Sequence, residues 1–377
     1  MDSSSNQTNI LARFPRRVMI TGGAGFIGSN FVHHCRKNRP DWDLHVVDSL
    51  TYAGNLDNLS QFLTSSSDSV SCESRGSIRF TRLDICDRLG LASLLESSAS
   101  NDRPIDTIIH FAAESHVDRS IHSAEPFIRT NVLGTESLLS VARQHEVRHF
   151  VHISTDEVYG SLGPTGLFYE DTPLDPTSPY AASKASSDLV ALAYAKTYGL
   201  DVSVTRCTNN YGPYQFPEKF IPLCILNAIA GNPIPLYGDG LNVRSWLHVD
   251  DHCEAIVAVA EQGKAGEVYN IGSSSDGELT NLEVVTKILK YLGRSEGLIQ
   301  KVTDRAAHDR RYAVDTSKIK NKLGWTPRYS FDSGLIETIN WYVENDNWCT
   351  RVLEGDYKSF YAQHYSTLAK PLDGRER

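Results

Sequence analysis

A glycine-rich turn at residues 22–28, reading Gly-Gly-Ala-Gly-Phe-Ile-Gly, constrains this chain more than any other feature. It follows a short apolar run, Arg17-Val18-Met19-Ile20-Thr21, and opens a segment of helical character. Glycines at Gly22, Gly25 and Gly28 give the spacing Gly-x-x-Gly-x-x-Gly. Such glycines permit a tight turn, let the backbone approach a pyrophosphate, and let a helix pack close to a strand. An ordinary tight turn also carries glycine, so context decides. Asp48 closes the next apolar run 20 residues after Gly28, where a carboxylate reaches the adenosine ribose of a dinucleotide. No arginine follows in Ser49-Leu50-Thr51, so a 2′-phosphate would meet an anion and no cation. NAD is therefore expected over NADP. Asp84-Ile85, after the third apolar run, is placed to meet the adenine.

The runs Leu44 to Asp48, Ile78 to Leu83, Thr107 to Phe111, His149 to Ser154, Val202 to Arg206 and Val268 to Ile271 repeat the pattern, alternating with helical segments. That alternation predicts an α/β protein with a Rossmann-type doubly wound parallel sheet and a smaller C-terminal α/β substrate-binding domain. We expect the dinucleotide domain over 16–210, with 245–275 returning to it. The smaller domain then takes 211–244 and 276–365, and residues 1–15 and 366–377 are tails. Thr64 to Ser77, rich in serine and without period, reads as a surface loop. Pro213, Pro217, Pro222, Pro233 and Pro235 predict a loop-rich lid or substrate region in place of a regular sheet. A further helix is expected around Gly334 to Tyr342, after the turn Gly324-Trp325-Thr326-Pro327.

Composition narrows the function classes. A net charge of −9 over 377 residues argues against a nucleic-acid partner. No apolar run approaches the roughly 18–20 residues that span a membrane. The seven cysteines (35, 72, 86, 207, 224, 253, 349) are dispersed, with no metal-ligand spacing, and read as reduced thiols of a cytoplasmic protein. No metal site is expected. The polar first residues lack a signal-peptide core, so Asn6-Gln7-Thr8 reads as part of a tail and not as a used glycosylation site.

Tyr180 and Lys184 form a Tyr-x-x-x-Lys pair opening a helical stretch, Tyr180 to Thr197. At i,i+4 both side chains share one helix face, and the lysine charge is expected to depress the phenol so that it acts as a base. The pair arises often by chance. Here it follows a dinucleotide turn by a typical domain's length, and Ser154-Thr155 ends the strand before it.

On these motifs the chain resembles the extended short-chain dehydrogenases/reductases, and within them the dTDP-glucose 4,6-dehydratase family. The resemblance runs from about Arg17 to about Tyr365. It rests on Thr21 to Gly28, HFAAESHVDRS (110–120), STDEVYG (154–160), SPYAASKASS (178–187), NNYGPYQFPEK (209–219) and DRAAHDRRYAVD (304–315). The discriminating element is Thr155-Asp156-Glu157, because epimerases of the group carry small or hydroxyl residues at the two acidic positions. An epimerase only removes and returns a hydride. A dehydratase must also take the C5 proton and protonate the departing C6 oxygen, which two carboxyl groups of separated pKa can do.

The resemblance implies a cycle of C4 oxidation by NAD with Tyr180 as base, elimination across C5 and C6 by Glu157 as base and Asp156 as acid, and hydride return to C6. Thr155 and Lys184 complete the catalytic set. It extends the cofactor site to Phe26, Ile27, Ser49, Leu50, Thr51, Phe111, Ala112, Ala113, Ser115, Thr130, Asn210 and the Tyr180–Lys184 pair itself. It places Ser115, Thr155, Asn209, Lys219, Phe220, Pro235, Tyr237, Arg244, Asn281, Asp304, Arg305 and His308 around a nucleotide-diphosphate sugar. Two departures stand out: Ala306-Ala307 where proline-glycine is usual, and Thr208 for a usual serine.

A UDP-glucose 4,6-dehydratase is the nearest alternative, since one base methyl is worth only about 1–3 kcal/mol of discrimination. The N-terminal tail and serine-rich insertion, untypical of the compact bacterial enzymes, keep that alternative open. A nucleotide-sugar 4-epimerase leaves Asp156-Glu157 without a purpose. A regulator that kept the fold without the activity would have lost Tyr180, Lys184 or the acids. The resemblance also implies a homodimer through the Tyr180 helix and a neighbouring helix, with Leu189, Leu192 and Ala193 as seam candidates that could equally be core.

Overall fold

The computed structural model describes residues 16–63, 76–101, 104–304 and 308–354. The expected tails, Thr64 to Arg75 of the serine-rich insertion, and Arg305-Ala306-Ala307 lie outside the described residues. Seven parallel strands form the main sheet: β1 (Arg17–Thr21), β2 (Asp43–Asp48), β3 (Ile78–Arg82), β4 (Thr107–His110), β5 (His149–Thr155), β6 (Val202–Cys207) and, later in the chain, β10 (Val268–Ile271). Their order is β10-β6-β5-β4-β1-β2-β3. The predicted runs match these strands to within a residue at each end.

Neighbouring side chains along each strand enter opposite faces of the sheet. Val18 and Ile20 of β1, Ile109 of β4 and Val151 of β5 pack on one face with α1 (Phe26–Asn38) and α8 (Val249–Gln262). Met19, Ile108 and Phe150 pack on the other with α2 (Arg88–Ser100), α5 (Thr135–Gln144) and α6 (Pro179–Tyr198). Burial on both faces is why these strands read as unbroken apolar runs. Each fully buried side chain such as Phe31 or Phe150 contributes roughly 1.5–3 kcal/mol. The strand order reverses between β1 and β4, so a crevice opens at the carboxyl ends of these strands.

Between β4 and α5 run α3 (Val117–His122), α4 (Glu125–Phe127) and a π-helical segment, Ile128–Gly134. Beyond β6 the chain builds a second layer system. β7 (Asn209–Tyr211), β9 (Val243–His248) and β11 (Glu278–Thr280) form one small sheet, and β8 (Ile234–Tyr237) pairs with β12 (Ile299–Val302). Helices α7 (Phe220–Ala230), α9 (Asn281–Tyr291), α11 (Phe331–Glu344) and α12 (Asp346–Glu354) enclose a separate apolar core. The remaining helix, α10 (Ser317–Leu323), packs beside β10.

The proline-rich stretch is therefore more regular than its composition predicts. Pro222 sits in the first turn of α7, where no intrahelical partner is needed for its missing N–H. Pro235 lies in a four-residue strand with a single neighbour, again where a missing donor is tolerated.

Candidate active site

The glycine turn joins β1 to α1 as expected. Gly22 has φ +69°, and a Cβ there would lie 2.6 Å from the Ala112 nitrogen. At Gly28 a Cβ would lie 2.2 Å from the Gly22 carbonyl oxygen, so only glycine lets α1 start this close to the strand. Helix α1 begins at Phe26 behind the N-cap Gly25, with no side-chain cap and no acidic residue in its first turn. Its first N–H groups and the positive end of its dipole are thus left to an anion.

Asp48 is more than an exposed acceptor. Its two carboxylate oxygens accept from the Ala24 and Leu50 N–H groups at 3.0 and 2.8 Å, tying the glycine turn to the loop after β2. Burial nonetheless raises its pKa.

A cleft of about 360 Å³ runs along the carboxyl edge of the sheet. It is lined by Gly22, Gly25, Phe26, Ile27, Gly28, Asp48, Ser49, Thr51, Asp84, Ile85, Phe111, Ala112, Ala113, Ser115 and Thr130. Thr155, Glu157, Tyr180, Lys184, Asn209, Asn210 and Lys219 line it as well. Leu50 does not; it adopts φ +55° and contributes its backbone N–H to Asp48.

Thr155 ends β5, and its hydroxyl caps the following turn, Asp156–Tyr159, by accepting from the Glu157 N–H at 3.3 Å. Asp156 is buried behind this wall. Its Oδ1 accepts from the Thr155 hydroxyl at 3.3 Å, and its Oδ2 has no hydrogen-bond partner among the described residues. Burial and the neighbouring Glu157 push it up to about 8, against an opposing pull from Arg244. The two adjacent acids therefore occupy different environments, one sealed and one on the cleft wall.

Helix α6 presents Tyr180 and Lys184 to the same cleft, started by Pro179 and by Ser178, whose hydroxyl accepts from the Ala181 N–H at 3.1 Å. Lys184 Nζ donates to the Ile153 carbonyl at 2.8 Å, and burial lowers it to about 8. The expected depression of the Tyr180 phenol is corrected here: burial and the charge of Glu157 raise it well above its ordinary value. Desolvation of the phenol is the larger cause, with Glu157, Cys207 and Asp156 adding to it, and a hydrogen bond with Thr155 opposes the rise without reversing it.

The remaining expected substrate positions lie beyond this wall. Arg244 is buried, donates to the Val243 and Asp309 carbonyls at 2.8 and 2.9 Å, and stacks 4.5 Å from the Tyr312 ring centroid. His308 bonds Asp304 at 2.6 Å and meets the Tyr237 ring edge-on at 6.2 Å, two residues along β8 from Pro235. Asn281 opens α9, its N–H donating to the Asn242 carbonyl. Phe220 stacks on Trp246 at 6.0 Å and packs against the smaller core, outside the cleft wall. Lys219 Nζ donates to the Ser115 carbonyl at 2.8 Å, joining the two halves of the chain across the cleft. Arg305 lies outside the described residues.

Several residues on or behind the cleft wall escape a sequence reading. Glu114 and Glu218 line it, both raised by burial, and Glu218 accepts from Arg119 at 3.3 Å. Asn131, on the π-helical segment, exchanges hydrogen bonds with the Glu114 backbone and donates to Ser183 of α6 at 2.8 Å. Glu218 lies inside the 209–219 block beside Lys219, which was its only signal. Asn131 has none, because a π-bulge is not written in residue spacing. Among the described residues no cluster of His, Cys, Asp and Glu could hold a metal. No described helix is long and apolar enough to cross a membrane.

Residues 19–338 match the model of the GDP-mannose 4,6 dehydratase family. The chain is 49% identical over 336 residues to a dTDP-glucose 4,6-dehydratase of Streptomyces niveus, covering 88% of this chain and 94% of that one. Its fold matches the crystal structure of the dTDP-glucose 4,6-dehydratase DesIV from Streptomyces venezuelae with NAD and TYD bound. There the TM-score is 0.80 and identity 50%, over 88% of this chain and 98% of that one. A UDP-glucose 4-epimerase from Thermotoga maritima, with UDP-glucose, matches at TM-score 0.77 but only 28% identity, over 87% and 99%. The chain belongs to the GDP-mannose 4,6 dehydratase family of nucleotide-sugar enzymes.

Proposed function

We infer that this protein is an NAD-dependent dTDP-glucose 4,6-dehydratase, yielding dTDP-4-keto-6-deoxyglucose and water. The observation that carries the reading is the pair Asp156-Glu157 directly after Thr155: one acid sealed and protonated near neutral pH, the other on the cleft wall beside Tyr180. A 4-epimerase needs neither, and the 49–50% identity to dTDP-glucose 4,6-dehydratases against 28% to an epimerase supports the same choice.

The uncapped start of α1, the glycines that no Cβ can replace, and Asp48 fit a dinucleotide. We assign its pyrophosphate to the α1 N-terminus, its ribose to Asp48 and its adenine to the Asp84-Ile85 side. When bound, NAD supplies the acceptor and donor of the C4 and C6 hydride, with a positive ring charge in its oxidised form. Tyr180 takes the C4 hydroxyl proton as its phenolate, a form that burial and Glu157 disfavour and that the Lys184 charge, the Thr155 hydroxyl and the positive ring of bound NAD would favour. Lys184 orients this end of the site and keeps a charge near the phenol. Glu157, an anion on the wall, takes the C5 proton once C4 is a ketone. Asp156 holds the proton that the departing C6 hydroxyl needs, and its Oδ2 has no competing partner among the described residues.

For the substrate we assign the diphosphate and nucleoside end to Asn209, Lys219, Arg244, Asn281 and the Tyr237–His308 corner. On this reading residues 16–210 and 245–275 hold the cofactor, and 211–244 with 276–365 hold the nucleotide sugar. A homodimer is supported by apolar side chains left exposed on the π-helical segment and α6, notably Leu133 and Leu189. Ala193 is exposed on the same helix, whereas Leu192 packs against the core. Cys35, Cys86, Cys207, Cys224, Cys253 and Cys349 are all free thiols, in keeping with a cytoplasmic enzyme.

The test is turnover of dTDP-glucose and UDP-glucose by the purified protein, followed by the alkaline absorbance of the 4-keto product. Keto product from dTDP-glucose at the higher kcat/KM is expected. Much faster turnover of UDP-glucose would transfer the assignment to the uridine substrate, and a galacto-configured product without ketone would make the protein an epimerase.

A further inference from the structure

An enzyme that regenerates its cofactor within each turnover gains from never releasing it, and one part of this fold bears on that without touching the cleft. Helix α12 lies across the loop that follows β2. Trp348 of α12, buried at 6% exposure, donates its indole N–H to Asn58 Oδ1 at 2.9 Å, across 290 residues of chain. Asn58 is itself buried, and its Nδ2 donates at 2.9 Å to the carbonyl of Ala24, in the middle of the glycine turn. The Asn55 N–H reaches the same carbonyl at 3.0 Å. The Ala24 N–H is held by Asp48 at 3.0 Å.

Both peptide groups of Ala24 are thus pinned by side chains from outside the turn. The second of them carries the N–H of Gly25, the N-cap of α1, which donates to the Gly22 carbonyl at 3.2 Å and so closes the turn just before the helix. The orientation of this peptide sets where the first donors of α1 point, and the indole–amide relay fixes it from the far C-terminal end of the described chain.

Trp348 is also anchored on its other side. It packs in a ring cluster with Trp341 at 5.1 Å, Tyr214 at 6.0 Å and Tyr342 at 6.3 Å. The Tyr342 hydroxyl donates to the Gln215 carbonyl at 2.6 Å, and Gln215 lines the cleft. Helices α11 and α12 therefore touch the cofactor cleft indirectly at two points, one on each side.

We propose that Trp348 and Asn58 are positioning residues for NAD retention: the C-terminal helix holds the glycine turn in the shape that keeps the dinucleotide bound. The proposal rests on the NAD-dependent reading above. Asn58 suits the task because its amide both accepts and donates, relaying the indole N–H to a backbone carbonyl. A carboxylate at this place would still accept from Trp348 but would face the Ala24 carbonyl without a proton to give. Losing one buried hydrogen bond of this kind corresponds to roughly tenfold in an equilibrium constant.

The experiment compares wild type, Asn58→Asp, Trp348→Phe and Arg351→Ala as full-length chains purified without added NAD. Arg351 pairs with Asp57 at 2.6 Å on the surface of the same helix and loop, so its variant loosens α12 without touching the relay. NAD per chain is measured after prolonged dialysis, and the NAD dissociation constant of the stripped protein by calorimetry. Both relay variants are expected to bind roughly tenfold more weakly and to lose NAD on dialysis. Their kcat at saturating NAD should stay within about twofold of wild type, and Arg351→Ala should retain NAD as wild type does. If Asn58→Asp does not fold, Trp348→Phe decides. Wild-type retention in the relay variants would overturn the proposal, as would equal loss in Arg351→Ala or a kcat that excess NAD does not restore. A wild-type protein that neither carries nor binds NAD would instead sink the NAD-dependent reading itself.

Discussion

Asp156 offers the sharpest test of how this site divides two neighbouring acids. It is fully buried, pushed from an ordinary 3.8 to about 8 by desolvation and by Glu157, while Arg244 and the Thr155 hydroxyl pull the other way. A shift of that size means the environment prefers the neutral form by on the order of 5 kcal/mol. One unit below its pKa, about nine-tenths of the chains carry the proton at pH 7. Asp156→Asn keeps the shape and stays neutral, so the melting midpoint should hold or rise slightly. The amide cannot deliver a proton. Dehydration should fall by about 10²- to 10⁴-fold, equivalent to roughly 3–5 kcal/mol of barrier. Wild-type turnover should also fall above pH 8, because the working forms of both Asp156 and Lys184 are protonated and both lose a proton near 8. The limb should therefore be steeper than one proton in the wild type and close to one proton in the variant. The assay is the rate of keto-product formation from dTDP-glucose between pH 6 and pH 10, approximately. An Asp156→Asn enzyme within tenfold of wild type would refute the acid assignment.

Three further outcomes follow from the same geometry. Gly28→Ala would drive a Cβ to 2.2 Å from the Gly22 carbonyl, so it should abolish NAD binding or cost several kcal/mol of stability, measured by calorimetry and denaturant titration; an unchanged NAD affinity would show that the turn gives way at little cost. Asp188 is buried and paired with Arg206 at 2.8 Å, so Asp188→Asn should lose about 3–5 kcal/mol by leaving a buried guanidinium unpaired, whereas Asp188→Leu with Arg206→Met should recover much of it; equal losses in the two would contradict the argument. His152, His248 and His252 are buried, with burial lowering them to about 4, 4 and 3. Their unfolded forms bind protons first as pH falls through about 6.5, so the three together should cost up to about 4 kcal/mol per unit from there towards pH 4, offset by roughly 1.4 kcal/mol per unit from Asp156, which the folded chain keeps protonated. A denaturation midpoint that stays level between pH 7 and pH 5 would refute this.

Much of the molecule was legible in residue order because its signals are local. A strand buried on both faces must be apolar throughout, and a helix starting against a strand must have glycine at Gly28 whatever lies elsewhere. Thr155-Asp156-Glu157 and Tyr180–Lys184 are contiguous or one helical turn apart, so their types and spacing name the chemistry before any folding is known. The prolines misled about regularity because composition does not say which prolines fall in a first turn or on an edge strand.

Residue order could not say how these groups are solvated. The depression expected of Tyr180 became a rise because burial and the nearby Glu157 disfavour the phenolate. The separation of Asp156 from Glu157 likewise comes from which side chain is sealed behind the wall. Asn131, Glu218 and the Trp348–Asn58–Ala24 relay join residues tens to hundreds of positions apart, through hydrogen bonds that exist only once both layers are packed. Sequence thus determined the glycine turn that opened the reading and the acids that gave it a reaction. Tertiary structure decided the protonation of those acids and what holds that turn in shape, since both depend on desolvation and on partners distant in the chain.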